Sequence, residues 1–328
     1  MTHPSLSAPF KMVSCLIINI FYESYLSYII FQSLSEWMSQ LPASVKAKKL
    51  TEIVIPGSHD SGTYQLDKKL PVGHDEAEIL QELGNNPVLG PLTKYIIHRW
   101  SITQHGNIQD QLHNGIRYFD FRVAKLEDKF RIVHGLHGEE VFNIFTAIQE
   151  FLEQNQEEIV ILHFQHYFDV TFDDHMQILQ NLQDKFGSKL IEKSVPNLVI
   201  NELQKAGKQV LVIYTGPSGE FNFPWPQSFC LNPWANTMDV TKLFKFLAKN
   251  MANRPLNCLF VSQSILTPNT TTILTKPFST LFKATKPCNK ALPQWIDETG
   301  KHLHPNIIMT DFVTDTQLPN IIVSLNYD

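Results

Sequence analysis

The chain has 328 residues, enough for one large domain or two ordinary ones. Hydrophobic residues make up 43% and charged residues 18%, which excludes a disordered chain. A net charge of −5, from 27 basic and 32 acidic residues, leaves no global positive field for nucleic acid. Cys15, Cys230, Cys258 and Cys288 form no C-x-x-C pair. They suit free thiols in a reducing compartment better than a disulfide framework or a structural zinc site.

The stretch 12–32 is the most apolar part of the chain, close to the roughly 20 residues of a membrane span. Asn19 and Glu23 sit near its centre, where a carboxylate costs at least ~2.5 kcal/mol. Only Lys11 precedes it as a cation, and no small-residue cleavage site follows. An interfacial or packed helix, or a loosely coupled extension, fits better than a span, while an N-terminal membrane anchor stays open. Residues 1–35 are therefore set apart as an apolar extension. Residues 36–328 read as one domain, with no linker, charge block or fixed-period repeat.

Strands are expected at 52–57, 116–123, 130–135, 158–164, 209–214, 258–263 and 306–312. Several are nearly continuous apolar runs, as parallel strands covered on both faces require. Helical spacing appears at 139–154, 173–186 and 239–251, with Asp173 and Asp239 as expected N-caps. Strand–helix alternation predicts an α/β fold, a distorted (β/α)8 TIM-type barrel of parallel strands. The alternative is an open doubly wound sheet, which lacks its Gly-rich fingerprint after the first strand.

Each strand run ends in a polar residue. The ends are His59 and Asp60, Asp120 and Arg122, His134, Gln165 and His166, Tyr214, Gln263, and Asp311. In a parallel barrel all C-terminal strand ends face one mouth. Taken singly, each residue also has a structural reading: Arg117 and Arg122 as ion-pair partners of Asp120, and Asp311 as a helix cap. Together they predict one cavity holding two imidazoles, a guanidinium and several carboxylates. Imidazoles titrate near neutral pH and serve as general base and general acid. A carboxylate on one imidazole fixes its tautomer. A guanidinium matches two phosphate oxygens at once. This set can cleave a phosphodiester by attack of an internal hydroxyl.

The run Ile55-Pro56-Gly57-Ser58-His59-Asp60-Ser61-Gly62-Thr63 resembles the opening motif of the phosphatidylinositol-specific phospholipase C X-domain. Gly115 to Arg122 and Val133-His134-Gly135 resemble its second and third motifs, in order. Arg99 to Gln104, Phe164 to Tyr167, Pro233 to Thr237, Val261 to Pro268 and Asp311-Phe312-Val313 narrow the match to the animal PI-PLC X domain-containing proteins. The resemblance implies a distorted barrel that cleaves inositol phospholipids to diacylglycerol and an inositol phosphate through a cyclic phosphate. It makes His59 the base on the inositol 2-hydroxyl, oriented by Asp311. His134 becomes the acid, assisted by Asp60, Arg122 contacts the phosphate, and Asp120 supports the arrangement. The family's large signalling enzymes bind calcium through acidic residues in the second motif. Arg122 stands at that position here and would repel a divalent ion, so no metal and no cofactor are expected.

Two departures accompany the match. Bacterial members hold the inositol ring with a lysine near the end of the fourth strand, where this chain has Gln165. They also carry a basic residue after the fifth strand, where it has Tyr214. Gln165 and Tyr214 are the expected replacements as substrate-binding residues. The alternative function is a lipid-binding protein of the same fold without useful turnover. The expected partner is an inositol phospholipid at a membrane surface, with no nucleic acid, and the expected location is cytoplasmic and peripherally membrane-associated. The loop of Phe221, Phe223, Pro224, Trp225 and Pro226 either inserts into the interface or packs on the barrel.

Overall fold

The computed structural model describes residues 34–327, so the apolar stretch 12–32 and Cys15 lie outside the described residues. Helix α1 (Ala43–Lys46) precedes strand β1 (Ile55–Ser58), and α2 (Glu78–Asn85), α3 (Gly90–Ser101) and α4 (Ile108–His113) lead to β2 (Tyr118–Leu126). Strands β3 (Lys129–His134) and β4 (Leu136–Glu140) come before α5 (Val141–Gln154). Then follow β5 (Val160–Phe168), α6 (Phe172–Phe186), α7 (Ile200–Lys205) and β6 (Val210–Tyr214). Two-residue strands β7 (Pro224–Trp225) and β8 (Cys230–Leu231) precede α8 (Val240–Met251) and β9 (Leu259–Gln263). After α9 (Thr270–Thr275) and α10 (Leu281–Glu298) come β10 (Ile307–Thr310) and α11 (Leu318–Ser324).

Eight strands lie parallel in the order β7-β6-β5-β2-β1-β10-β9-β8. The sheet curls into the expected distorted barrel. Its two ends, β7 and β8, are linked by residues 226–229 of the chain rather than by a ladder, which leaves one open seam.

The period of two sorts each strand. Phe119, Phe121 and Val123 of β2, Val160, Leu162 and Phe164 of β5, and Val210, Val212 and Tyr214 of β6 form one core. They pack with Ile144, Phe145 and Ile148 of α5 and Ile178, Leu179 and Leu182 of α6. This layer lies between sheet and helices. The intervening residues, Asp120, Arg122, His163 and Gln165 among them, turn to the barrel interior.

Two expectations need correction. The run at 130–135 is not a barrel strand: β3 pairs antiparallel with β2, Val123 opposite Ile132. The reversal occurs at Glu127, which takes a left-handed turn conformation with φ 55°. Asp173 is not the cap of α6. Thr171 is, accepting from the Asp174 backbone N–H while Asp174 accepts from the Thr171 N–H at 2.9 Å. Asp239 caps α8 as expected, accepting from the Lys242 N–H at 3.0 Å.

The structural reading that paired Arg117 with Asp120 does not hold: Arg117 pairs with Glu158. Arg117 precedes β2, at the end of the sheet opposite the polar strand ends, and is fully buried. Its Nη2 lies 2.7 Å from Glu158 Oε2, and its Nε donates to the same oxygen at 2.9 Å. The remaining guanidinium hydrogens go to the carbonyls of Leu112, Ile116 and Ser35. Glu158 also accepts from the backbone of Met38 and Ser39. Breaking such a pair strands a buried charge. Arg117→Ala is expected to cost about 3–5 kcal/mol of stability in chemical denaturation. Unchanged unfolding midpoints would contradict this role.

Candidate active site

Strands β1 and β10 carry the first pair of site residues. Ser58 stands opposite Thr310, and the next rung continues the ladder, His59 N–H donating to Thr310 O at 3.1 Å. That register sets the inward-facing His59 beside Asp311. His59 Nδ1 is 2.8 Å from Asp311 Oδ1, and Asp311 is buried. The contact commits Nδ1 to Asp311 and leaves Nε2 facing Asp60 at the mouth.

Asp60 lies beneath both imidazoles. Its Oδ2 is 3.2 Å from His59 Nε2 and 3.6 Å from His134 Nε2, and its Oδ1 is 2.8 Å from Arg122 Nε. Arg122 therefore pairs with Asp60, not with Asp120 as one structural reading expected. Asp120 accepts from the Asp60 backbone N–H at 3.3 Å. The Asp60 side chain is only 1% exposed, whereas His59, His134 and Arg122 are 13%, 23% and 29% exposed. The carboxylate is sunk and the three basic groups reach the mouth.

His134 arrives by a route other than the expected one. β2 overshoots the mouth, and β3 runs back along it. Continuing their register sets His134 opposite Phe121, between Asp120 and Arg122 in level. Its Nδ1–H donates to Ser101 O, 2.7 Å away at the end of α3, which turns Nε2 toward Asp60. The turn after it requires Gly135, with φ 70°, whose N–H donates to Asp75 Oδ2 at 2.7 Å.

Burial alone would lower the His59 pKa. The negative charges of Asp60 and Asp311, the hydrogen bond to Asp311 and the charge of Asp120 outweigh it and push the value up to about 9. Burial disfavours the charged form of Asp60, but Arg122, His59 and His134 hold its carboxyl well below the usual range. Burial likewise opposes the Arg122 charge, and Asp60, Asp120 and Asp75 more than offset it.

An amide wall extends from Asp120. Gln165 Nε2 donates to Asp120 Oδ1, and Asn232 Nδ2 donates to Gln165 Oε1. Gln227 Nε2 donates to Asn232 Oδ1 at 2.9 Å, and Gln263 Nε2 to Asn232 O at 2.6 Å. His163 bridges Gln227 and Tyr118, and burial lowers its pKa. Gln227 and Asn232 carried no signal in the sequence because Gln227 lies in the link between β7 and β8 and Asn232 follows a strand only two residues long.

Tyr214 does not join the site. It falls on the outer phase of β6, in the core beneath α5 and α6, hydrogen-bonded to His175 Nδ1 at 2.8 Å. The expectation that it binds substrate fails because the strand's period of two points it outward. The 221–226 loop packs rather than protrudes. Phe223 and Pro224 are buried, and Trp225 Nε1–H donates to Ile191 O at 2.9 Å. A cavity of about 500 Å³ lined by Tyr64, His105 and Glu139 contains none of the residues brought together above.

Ligand atoms of His59, Asp60 and Asp120 lie within 4.8 Å of one another, close enough to hold a cation. Arg122 already contacts Asp60 there, and Asp311 holds the other nitrogen of His59. A divalent ion would sit against the guanidinium charge, so the cluster fits a metal poorly.

The barrel places the chain in the class of proteins folded like the phosphatidylinositol-specific phospholipases C. The Listeria monocytogenes enzyme superposes with a TM-score of 0.62 at 19% identity, over 89% of this chain and 98% of its own. A Staphylococcus aureus phosphatidylinositol-specific phospholipase C gives 0.61 at 18% identity, over 89% and 98%. The chain belongs to the PI-PLC X domain-containing proteins. Mus musculus PI-PLC X domain-containing protein 2 is 34% identical over 302 residues, 89% of this chain and 87% of the relative. Homo sapiens PI-PLC X domain-containing protein 3 is 33% identical over 307 residues, 90% and 94% respectively. The family model for the phosphatidylinositol-specific phospholipase C X domain matches residues 92–215, which include Arg122 and His134.

The environment of His59 makes a direct prediction. Its ring should titrate near pH 9 by NMR in the free protein. Carboxylates stabilise the imidazolium, so Asp311→Asn removes one such charge and should move the midpoint down. A midpoint unmoved by the substitution would show that Asp311 does not set it.

Proposed function

We propose that the protein is a metal-independent phosphodiesterase that cleaves inositol phospholipids, releasing diacylglycerol and an inositol phosphate through a cyclic intermediate. The supporting observation is the sunken Asp60 carboxylate, which gathers His59, His134 and Arg122 at one mouth. His59 Nε2 takes the proton of the inositol 2-hydroxyl. The freed oxygen attacks phosphorus, whose bond to the diacylglycerol oxygen breaks. His134 Nε2–H gives its proton to that oxygen. Arg122 neutralises charge building on the phosphoryl oxygens. Asp311 and Ser101 O hold the two rings in the required tautomers.

Such a base must be neutral to act. With a pKa of about 9, roughly one molecule in a hundred is ready at pH 7, and because the acid must keep its proton, kcat/KM should follow a bell-shaped pH profile rather than rise without limit. Gln165 and Asn232 offer the ring amide donors and acceptors where a cation would favour added phosphates. The reading thus favours a neutral polyol headgroup.

The lipid must be met at its interface. Helix α3 packs Ile96, Ile97 and Trp100 inward. It leaves Leu92 and Tyr95 exposed on the other face, with Leu89 just before its start. That stripe leads to Arg99, which donates to the carbonyls of Phe278 and Ser279. Phe278 is itself 66% exposed. The same helix ends at Ser101, on His134. The exposed stripe is the proposed bilayer contact. Among the described residues no helix is long and apolar enough to cross a membrane.

His59→Ala and His134→Ala should each lower turnover of phosphatidylinositol vesicles by about 10²–10⁴-fold, while a chelator leaves it intact. Full activity in either variant, or loss on chelation, would refute the mechanism. Leu92→Glu with Phe278→Glu should weaken cleavage of vesicles and spare a soluble short-chain substrate. Equal loss on both substrates would remove the docking role.

A further inference from the structure

Two residues flanking the reacting groups carry left-handed backbone. Asp60 has φ 41° and Phe312 has φ 54°. Neither is glycine, so each conformation persists only where its surroundings enforce it. Both sit in turns that leave neighbouring strands, β1 and β10, one residue past His59 and one past Asp311.

A single buried dipeptide holds both turns. Thr103 and Gln104 are 0% exposed and follow α3. Gln104 Nε2 donates to His59 O at 2.9 Å and to Thr310 O at 3.2 Å, and its Oε1 accepts from Val313 N–H at 3.0 Å. Both amide hydrogens and the amide oxygen are thereby used. Thr103 Oγ1 lies 2.9 Å from His59 O and 3.1 Å from Asp60 O, and 2.6 Å from Thr63 Oγ1. Thr103 O accepts from Phe312 N–H at 2.8 Å. Two residues earlier, Ser101 O receives His134 Nδ1–H.

We propose that Gln104 and Thr103 are positioning residues for the reaction. They clamp the turn after β1 to the turn after β10 and so fix the His59–Asp311 and His59–Asp60 distances. Neither side chain faces the substrate, and both act through His59. The claim rests on the proposed chemistry for its kinetic consequence, but the geometry of His59 can be read without turnover. The charged groups facing His59 are Asp60, Asp311 and Asp120, with Arg122 and His134 reaching it through Asp60. Loosening the clamp takes His59 away from the carboxylates that favour its protonated form.

The test is NMR titration of His59 in the full chain, paired with kinetics on phosphatidylinositol vesicles. Gln104→Met keeps the length of the side chain and removes its three hydrogen bonds. Thr103→Val keeps the shape and removes the hydroxyl, and Thr103→Ser restores it. Gln104→Met and Thr103→Val should lower the His59 midpoint by about one pH unit. They should reduce kcat by about 10–100-fold with KM little changed, and Thr103→Ser should recover both readouts. If Gln104→Met does not fold, as judged by thermal melting, the valine–serine pair decides alone. A folded variant with wild-type midpoint and kcat would overturn the clamp. A wild-type chain that cleaves no inositol lipid would sink the phosphodiesterase reading, yet a lowered midpoint in the variants would still support the clamp.

Discussion

One buried carboxylate organises this site. Asp60 faces a guanidinium and two imidazoles within 2.8 to 3.6 Å, with almost no contact with water. A lone anion in that position would bear a desolvation cost of several kcal/mol. The three basic groups offset it, and each is in turn held where the carboxylate can reach it. Arg122 is drawn from β2, His134 from the hairpin that follows, and His59 from the turn in which Asp60 itself lies. The charge balance of the pocket is thus also its geometry.

Neighbouring charges, set against burial, decide the chemical character of each member. The imidazole of His59 sees several carboxylates and binds its proton tightly, whereas at His163 burial outweighs the Asp120 charge and the Gln227 hydrogen bond and the proton is released. The same residue type in the same barrel serves two ends: one charged among carboxylates, the other neutral and bridging Gln227 and Tyr118. Arg122 and Arg117 divide in parallel. Arg117 spends every donor on the protein, while Arg122 keeps part of its fork toward solvent.

Much of this was legible in the sequence. The parallel runs announce a barrel, and His59, Asp60, Arg122, His134 and Asp311 stand out as polar ends of apolar strands. Gln165 also reaches the pocket. What failed did so for stated physical reasons. Tyr214 ends its strand on the wrong phase of a two-residue period. His134 ends a strand that runs backwards, a fact carried by one positive-φ residue at 127. The helix 281–298 holds Pro287 and Pro293, which break the usual signal for a helix. Thr103 and Gln104 lie in no periodic element, and their partners are some 40 and 210 residues away. No local pattern encodes such a contact, although the stretch holding them was part of the family resemblance.

The open seam between β7 and β8 divides the barrel into a laddered part and an irregular one. His59, Asp311 and Arg122 hang from continuous ladders on one side, whereas Gln227 lies in the chain that bridges the gap and Asn232 just past the two-residue β8. Replacing a residue in that bridge disturbs no rung beneath His59 or Arg122. Under the proposed function, part of the wall that would meet the headgroup can therefore vary without moving the strands that carry His59 and Arg122.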